Sequence, residues 1–273
     1  MATLPYRIVD AFTAVPFCGN PAAVFILDEP IPDGSMQTIA VEMNLSETAF
    51  VHPAGAKGQR LIRWFTPTDE VPLCGHATLA SARSLLEEGE PFPLRLDSAS
   101  GPLEVHREED GRLRLDFPAD PPTAEAPPAG FLSSLGLPSG TEATPLQGRN
   151  LWIVPVANEA MVRGTRPDFT AMRSVAAGTA LGVAVTAPGD APELDFVSRF
   201  FAPWVGVDED PVTGVAHTVL TPYWAGRLGR DELSARQLSA RGGELTVRHR
   251  GDRVHLIGQA VVVAEGGMVA PLS

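Results

Sequence analysis

Short runs of β-branched and aromatic residues recur along the whole chain and predict a protein rich in β-strands. The runs are YRIVDAF, AAVFIL, ETAFVHP, RLIRWF, LEVHR, RLRLDF, LWIVPV, DFVSRFF, ELTVRH, RVHLIG and AVVVAE. Two longer segments, residues 75–88 and 214–226, have the apolar content of helices, and each begins at a glycine-containing turn. Strands and helices do not alternate regularly, so the pattern predicts a mixed α+β fold.

This pattern repeats at an offset of roughly half the chain. RWFTPTDEVPLCGHATLASARSLLEEG in the first half corresponds to RFFAPWVGVDEDPVTGVAHTVLTPYWAGRLG in the second, and a predicted hairpin follows each. We therefore expect an N-terminal lobe over residues 1–118 and a C-terminal lobe over 130–273, joined by a Pro-rich linker at 119–129. The final strand is a candidate to cross to the N-terminal lobe. Two similar lobes favour a ligand cleft between them, although two halves could share a fold without sharing a site.

Composition narrows the possible partners. The chain has 273 residues, 44% of them hydrophobic and 20% charged, and a formal net charge of −12. It has no cluster of lysines and arginines, no apolar run long enough for a membrane span and no signal-peptide pattern at the N-terminus, so we expect no nucleic-acid or membrane partner. Two cysteines, Cys18 and Cys74, do not indicate a disulfide framework, and a reducing cytoplasm is the expected location.

The two glycine-led helix starts form the first candidate site. If the halves superpose, Gly75 matches Gly214, His76 matches Val215 and Cys74 matches Thr213. Each start offers unpaired backbone N–H groups and the positive end of a helix dipole, so two starts facing one cleft could hold a carboxylate in an acidic protein. Alternatively, both glycines only relax tight turns.

Acidic residues supply the candidates for proton transfer. Glu47 lies in NLSETAF at the start of an apolar strand, where partial desolvation would suit a carboxyl group to acid/base work. Asp210 lies in VGVDEDPVTG before a proline turn, where it could hold a substrate amine or orient an acid/base group. Either residue could instead be a solvated loop carboxylate. Cys74 and His76 alone do not make a metal site, and no phosphate-binding loop, dinucleotide fingerprint or serine-hydrolase elbow is present.

Four blocks of the sequence together resemble the PhzF-like isomerase family of phenazine biosynthesis: VDAFTAVPFCGNPAAVFIL, NLSETAFV, RWFTPTDEVPLCGHATLA and GVDEDPVTGVAH. The resemblance implies a diaminopimelate-epimerase-like fold, with two pseudo-symmetric lobes, each a curved, mostly antiparallel sheet wrapped around a central helix, and an active-site cleft between them. It also implies a cofactor-independent isomerase, a homodimer and a small anionic carboxylate metabolite as substrate. The family's characterised member isomerises a dihydro-hydroxyanthranilate.

Carried over by motif, the resemblance makes Glu47 the proton-transferring group and His76 and Asp210 its catalytic partners. The expected substrate-binding residues are Gly75, Gly214, Cys74, Thr213 and Val215. One departure concerns Val215, since the family has serine directly after the second glycine and valine cannot make a side-chain hydrogen bond. The substrate therefore differs from the characterised one, or that polar contact has been lost.

Two alternatives remain open. The same superfamily contains racemases and epimerases that use one thiol from each lobe. Here the first thiol corresponds to Cys74, but Thr213 occupies the region of the second, which weakens a symmetric two-thiol mechanism. The other alternative is a binding protein that has kept the fold without the chemistry, and Val215 favours it, whereas the retention of Glu47, His76 and Asp210 opposes it.

Overall fold

The computed structural model describes residues 3–55, 58–138, 141–175 and 180–269. Its strands are β1 (Thr3–Ala11), β2 (Asn20–Ile26), β3 (Glu47–Ala54), β4 (Arg60–Phe65), β5 (Glu70–Val71), β6 (Leu94–Ser98), β7 (Gly101–Arg107), β8 (Leu113–Pro118), β9 (Thr123–Ala124), β10 (Leu146–Gln147), β11 (Leu151–Pro155), β12 (Gly182–Pro188), β13 (Phe196–Ala202), β14 (Val207–Asp210), β15 (Glu232–Gln237), β16 (Gly243–Arg250), β17 (Arg253–Gly258) and β18 (Ala260–Val269).

The helices are α1 (Asp33–Met43), α2 (Gly75–Glu87), α3 (Phe131–Ser134), α4 (Glu159–Gly164), α5 (Phe169–Ser174) and α6 (Gly214–Leu228), with a 3₁₀ turn at Pro203–Val205. None of these helices, which cover the described ranges, is long and apolar enough to cross a bilayer. The α+β class is confirmed, and each run predicted as a strand lies on one. Helix α6 runs through Gly226, where the prediction ended it, and stops at Gly229, whose φ of 66° is left-handed.

The described residues fall into two compact units. The first runs to Asp116 and includes the chain from Ile257 onward, and the second spans Phe117–Leu256. The first unit is therefore built from both ends of the chain: β18 lies antiparallel to β1, and Thr3 is opposite Val269. The segment predicted as a linker belongs to the second unit and contains the short strand β9.

Both units repeat one strand order. In the first, β2 is parallel to β3, β3 antiparallel to β4, β4 parallel to β6 and β6 antiparallel to β7. In the second, β11, β12, β13, β15 and β16 repeat these four relations in the same order. Helix α2 follows β5 just as α6 follows β14. The duplication predicted from the sequence is confirmed in this topology.

Helix α2 is the central helix of the first unit and is buried on nearly every side. It packs against β1, β2, β3 and β18. Most of its buried residues are Ala, Ser or Thr, and Ser81 and Ser84 return their hydroxyls to carbonyls one turn back. Small side chains let the helix backbone approach the surrounding strands closely, so the sequence of α2 suits a helix enclosed by a sheet.

Aromatic residues contribute to the hydrophobic core of each unit. In the first unit Phe25 stacks on Phe50 with ring centroids 5.2 Å apart. In the second unit Trp224 of α6 stacks on Phe196 at 5.5 Å and donates its indole N–H to Thr186. This last bond satisfies the one polar atom of a buried tryptophan.

Candidate active site

Glu47 is the first residue of β3, and the end of α1 determines where it lies. Asn44 closes α1 in the left-handed conformation, with φ of 50°, and returns its N–H to Ala40. The chain then enters β3, where Glu47 lies opposite Ala22 of the parallel strand β2. The Glu47 side chain is 19% exposed at the start of its strand, although Oε2 itself is buried.

His76 is the second residue of α2, and its imidazole lies next to Glu47. Nε2 is 3.3 Å from Glu47 Oε2, and Nδ1 is 3.2 Å from the side-chain nitrogen of Asn20 and 3.5 Å from Cys74 Sγ. The structure thus brings together Glu47, Cys74 and His76, three of the residues predicted from the sequence, and adds a fourth, Asn20.

Burial determines the charge of His76. Its side chain is only 5% exposed, and this burial lowers the pKa of His76 to about 3 because the charged imidazolium is poorly solvated. The imidazole is therefore neutral near pH 7, and its approach to Glu47 is not an ion pair. Among the described residues Nε2 makes no hydrogen bond of good geometry, so it can still donate to or accept from a group that enters beside Glu47.

The side chains of this cluster are not arranged around one common position for a metal ion. The ligand atoms of Glu47, Cys74 and His76 all lie within 4.8 Å of one another, and thiolate, imidazole and carboxylate are zinc ligands. However, the imidazole turns Nδ1 to Cys74 and Asn20 and turns Nε2 to Glu47. An ion bound at either nitrogen would lie away from the ligand that faces the other.

Asn20 is the functional candidate that the sequence analysis missed. It is fully buried at the start of β2, opposite Ala11 of β1. Gly19, directly before it, has a left-handed φ of 68°. A Cβ on Gly19 would lie 2.3 Å from the Ala11 carbonyl oxygen, so only glycine fits. The Gly-Asn-Pro stretch marks a turn in the sequence, but nothing local indicates that the asparagine amide reaches a histidine 56 residues away.

The start of α2 supplies backbone donors beside the same cluster. Cys74 is the N-cap residue and makes no side-chain capping hydrogen bond, so it does not satisfy the N–H groups of the first turn. Gly75 is the first helical residue. A carboxylate or a developing negative charge near Gly75 would meet the N–H groups of the first turn and the positive end of the helix dipole.

In the second unit, two of the acidic residues before α6 are held by arginines. Arg199 binds Glu209 through two hydrogen bonds of 2.7 and 2.9 Å, and Arg173 pairs with Asp208. Glu209 therefore has a structural partner, whereas Asp208 is paired but remains half-exposed.

Asp210 and Thr213 belong to a separate network in the second unit. The Thr213 hydroxyl donates to Asp210 Oδ2 at 2.5 Å. Gln237 of β15 accepts from the Thr213 N–H at 3.0 Å and donates to the Asp210 carbonyl at 2.7 Å. The fully buried Gln237 thus clamps the turn that leads into α6, and the sequence analysis had not identified it.

Gly214 begins α6, as Gly75 begins α2, and Val215 follows it with 39% of its surface exposed. One turn further, His217 is completely buried, and its Nδ1 lies 2.8 Å from the Thr213 carbonyl oxygen. Burial lowers the pKa of His217 to about 4. The expectation that the two helix starts face one ligand stays a prediction.

Comparison with known proteins identifies the family. The profile of the PhzC-PhzF family, described as phenazine biosynthesis-like protein, matches residues 9–266. The chain belongs to this family. The predicted resemblance is therefore confirmed over nearly the whole chain.

Individual relatives agree with the family match. An uncharacterised isomerase of Pseudomonas aeruginosa is 50% identical over 265 residues, which cover 96% of this chain and 97% of that one. The human phenazine biosynthesis-like domain-containing protein is 41% identical over 291 residues, covering 98% and 99%. A crystal structure of a PhzF-family protein from Enterococcus faecalis superposes with a TM-score of 0.90 at 41% identity, covering 98% of this chain and 100% of that one. The predicted superfamily fold and the assignment as an isomerase are confirmed at this level.

Proposed function

We propose that this PhzF-like isomerase works without a cofactor and that Glu47 moves a proton between carbons of a small, carboxylate-bearing substrate. The observation that carries the proposal is the cluster at the start of α2. The carboxylate of the partly exposed Glu47 side chain lies 3.3 Å from a buried neutral imidazole, and Cys74, at the adjacent helix start, makes no capping hydrogen bond. A base, a proton-bearing partner and donors for developing negative charge are the parts that proton abstraction next to a carboxylate needs.

Each part has a separate task in this mechanism. Glu47 takes a proton from the substrate carbon and returns it at another. The neutral imidazole of His76 holds the Glu47 carboxylate in place or hydrogen-bonds the substrate. The backbone N–H groups from Gly75 onward stabilise the negative charge that builds up as the carbon loses its proton. The roles of Asp210, Thr213, Gly214 and Val215 rest on the family resemblance and stay predictions, as do the cytoplasmic location and the homodimer.

The first prediction tests the base directly. Glu47→Gln keeps the size of the side chain but removes the group that accepts the proton, so we expect turnover to fall about 10²–10⁴-fold. The measurement is proton NMR in D₂O on a panel of unsaturated ring carboxylates that includes the dihydro-hydroxyanthranilate. Wild-type protein should isomerise a member of the panel and exchange its mobile proton for deuterium, and Glu47→Gln should do neither. Undiminished exchange by Glu47→Gln would remove Glu47 from the mechanism.

The thiol alternative is separated by a matched variant. Cys74 lies 3.5 Å from His76 Nδ1, and this proximity keeps a one-thiol mechanism open. A symmetric two-thiol mechanism has less support, since Thr213 occupies the corresponding helix start and its hydroxyl is bound to Asp210. Cys74→Ala should retain exchange if Glu47 is the base and abolish it if the thiol is. Binding of panel compounds with no exchange by any variant would instead favour a binding protein.

A further inference from the structure

We propose that Asn20 is a positioning residue that fixes the tautomer of His76, leaving Nδ1 without a proton and placing the ring proton on Nε2, 3.3 Å from Glu47. The assignment of the tautomer stands on the geometry around the ring and on its burial, and it does not depend on the proposed function. Only its consequence for turnover rests on the proposed function. Asn20 acts through the imidazole, which its side-chain nitrogen contacts at 3.2 Å.

The Nδ1 side of the ring carries the first part of the argument. The side-chain nitrogen of Asn20 lies 3.2 Å from Nδ1, and an amide nitrogen has two hydrogens and no available lone pair. It can only donate, so Nδ1 must accept. Cys74 Sγ, at 3.5 Å on the same side, agrees with this because a neutral thiol can also donate to an imidazole lone pair.

The Nε2 side supplies the second, independent part. Glu47 Oε2 is 3.3 Å away, and an ionised carboxylate can only accept. The contact lacks hydrogen-bond alignment, but a lone pair on Nε2 so close to a carboxylate oxygen would still be repelled, whereas a proton there would be attracted. The buried ring is neutral and has one ring proton to place. Both sides of the ring place it on Nε2.

Backbone structure keeps Asn20 in this position. Asn20 is fully buried as the first residue of β2, opposite Ala11, and the left-handed Gly19 before it admits no side chain. His76 is equally fixed as the second residue of α2. The donor and the ring therefore belong to two rigid elements, which is the arrangement a preorganised site requires.

The consequence for the proposed reaction concerns the charge of Glu47. An Nε2–H close to the carboxylate favours its ionised form, which is the form that accepts a proton from the substrate. The opposite tautomer would present a lone pair instead and would disfavour the ionised base. Loss of the Asn20 donor should therefore lower kcat and move the acidic limb of the kcat/KM pH profile to higher pH. Glu47 and Cys74 are the titratable groups that face the ring, from β3 and from the turn before α2.

The decisive experiment is ¹⁵N NMR of histidine-labelled, full-length wild-type protein at pH 7. The His76 signals are assigned by their loss in His76→Gln. We expect Nδ1 to show the downfield shift of an unprotonated ring nitrogen and Nε2 the shift and one-bond coupling of a protonated one. A protonated Nδ1 in the wild type would overturn the proposal, whatever the substrate is, because this measurement needs no substrate.

Variants at position 20 extend the test to activity. Asn20→Asp replaces the donor with an acceptor of the same size and should move a proton onto Nδ1; Asn20→Leu removes the donor and should leave the tautomers mixed. Both should lower kcat about 10²-fold with a smaller change in KM and shift the acidic limb upward. Asn158→Asp makes the same chemical change at an exposed helix cap, where aspartate caps equally well, and should alter neither the His76 signals nor turnover.

The outcomes separate this inference from the proposed function. If Asn20→Asp has a native circular dichroism spectrum and its His76 carries the proton on Nδ1, the positioning role is supported. This holds even if Glu47→Gln remains active and the proposed base is wrong. An unchanged tautomer in both Asn20 variants would overturn it, even if Glu47→Gln is inactive. A fall in activity with an unmoved acidic limb and an unmoved tautomer would mean that Asn20 supports only the fold.

Discussion

At the scale of single residues, the cluster at the start of α2 depends on polar atoms that meet from distant parts of the chain. Glu47, Cys74 and His76 were predicted because each lies in a recognisable motif, and the structure brings them together. Asn20 and Gln237 were not predicted. Their partners are 56 residues away for Asn20 and 24 to 27 residues away for Gln237, and neither the burial of an amide nor its partner can be inferred from neighbouring residues.

Val215 gives a prediction at the same scale. Its side chain is 39% exposed in the first turn of α6 and cannot hydrogen-bond, whereas the family pattern has serine there. Val215→Ser should raise kcat/KM for the dihydro-hydroxyanthranilate about tenfold, in line with about 1–3 kcal/mol for one satisfied polar group. Steady-state kinetics measure it, and the thermal midpoint should not change since the residue is exposed. An unaltered kcat/KM would mean that position 215 does not set the substrate preference.

At the scale of elements, apolar patterning predicted the strands whose buried faces carry large side chains and missed some that lack them. Strand β15 is the clearest case, since its buried positions are Leu233, Ala235 and Gln237. Their alternation is regular but only one of the three is strongly hydrophobic, so the strand cannot be distinguished from a polar loop by composition. The end of α6 was missed for a different reason: Gly226 and Gly229 are equally good stop signals in the sequence, and only Gly229 adopts the left-handed conformation.

Helices α2 and α6 each have a buried histidine near their start, His76 and His217. These two histidines predict how stability depends on pH. Burial lowers the pKa of His76 to about 3 and that of His217 to about 4. In the unfolded chain both would titrate near their ordinary value of about 6.5. Below that pH the unfolded chain binds protons that the folded chain does not, so the free energy of unfolding should fall as pH falls, by up to about 1.4 kcal/mol per pH unit for each histidine.

Urea unfolding at several pH values between 5 and 7 tests this, because carboxylates stay ionised over most of that range. The wild type should lose stability towards pH 5, and His217→Gln should show a shallower slope. Leu228→Ala, at the exposed end of α6, changes no titratable group, so it is the control and should keep the wild-type slope. Equal slopes for wild type and His217→Gln would contradict a neutral buried His217.

At the scale of the whole molecule, the duplicated topology could be predicted because matching motifs recur in the same order in both halves. It was harder to predict from the sequence that the two ends of the chain pair with each other. Pairing between residues near 3 and residues near 269 produces no pattern in the residues next to either strand. In the structure, β1 has β2 on one side and β18 on the other. The first unit thus depends on a strand that lies more than 140 residues beyond its other elements, with all of Phe117–Leu256 in between.

Circular permutation tests this arrangement. Joining the two ends by a short Gly/Ser linker and opening the exposed turn between Asp110 and Gly111 should give a folded protein, because Thr3 and Val269 are already neighbours in adjacent strands. We expect a free energy of unfolding within about 2 kcal/mol of the wild type, since closing a short loop costs little entropy. Deleting the chain from Ala260 onward is the control and should destabilise the protein severely. A permutant that fails to fold would argue against the β1–β18 pairing.

The pairing of β1 with β18 also fixes an order of events during synthesis on the ribosome. All of Phe117–Leu256 emerges as one continuous stretch and has its full set of strands before β18 is made. Strand β1 is made before this stretch and its partner β18 after it, so one edge of β1 remains open while the second unit is synthesised. The nascent chain is therefore exposed to misassembly at β1 during that interval, and a chaperone that shields β1 would protect it until β18 appears.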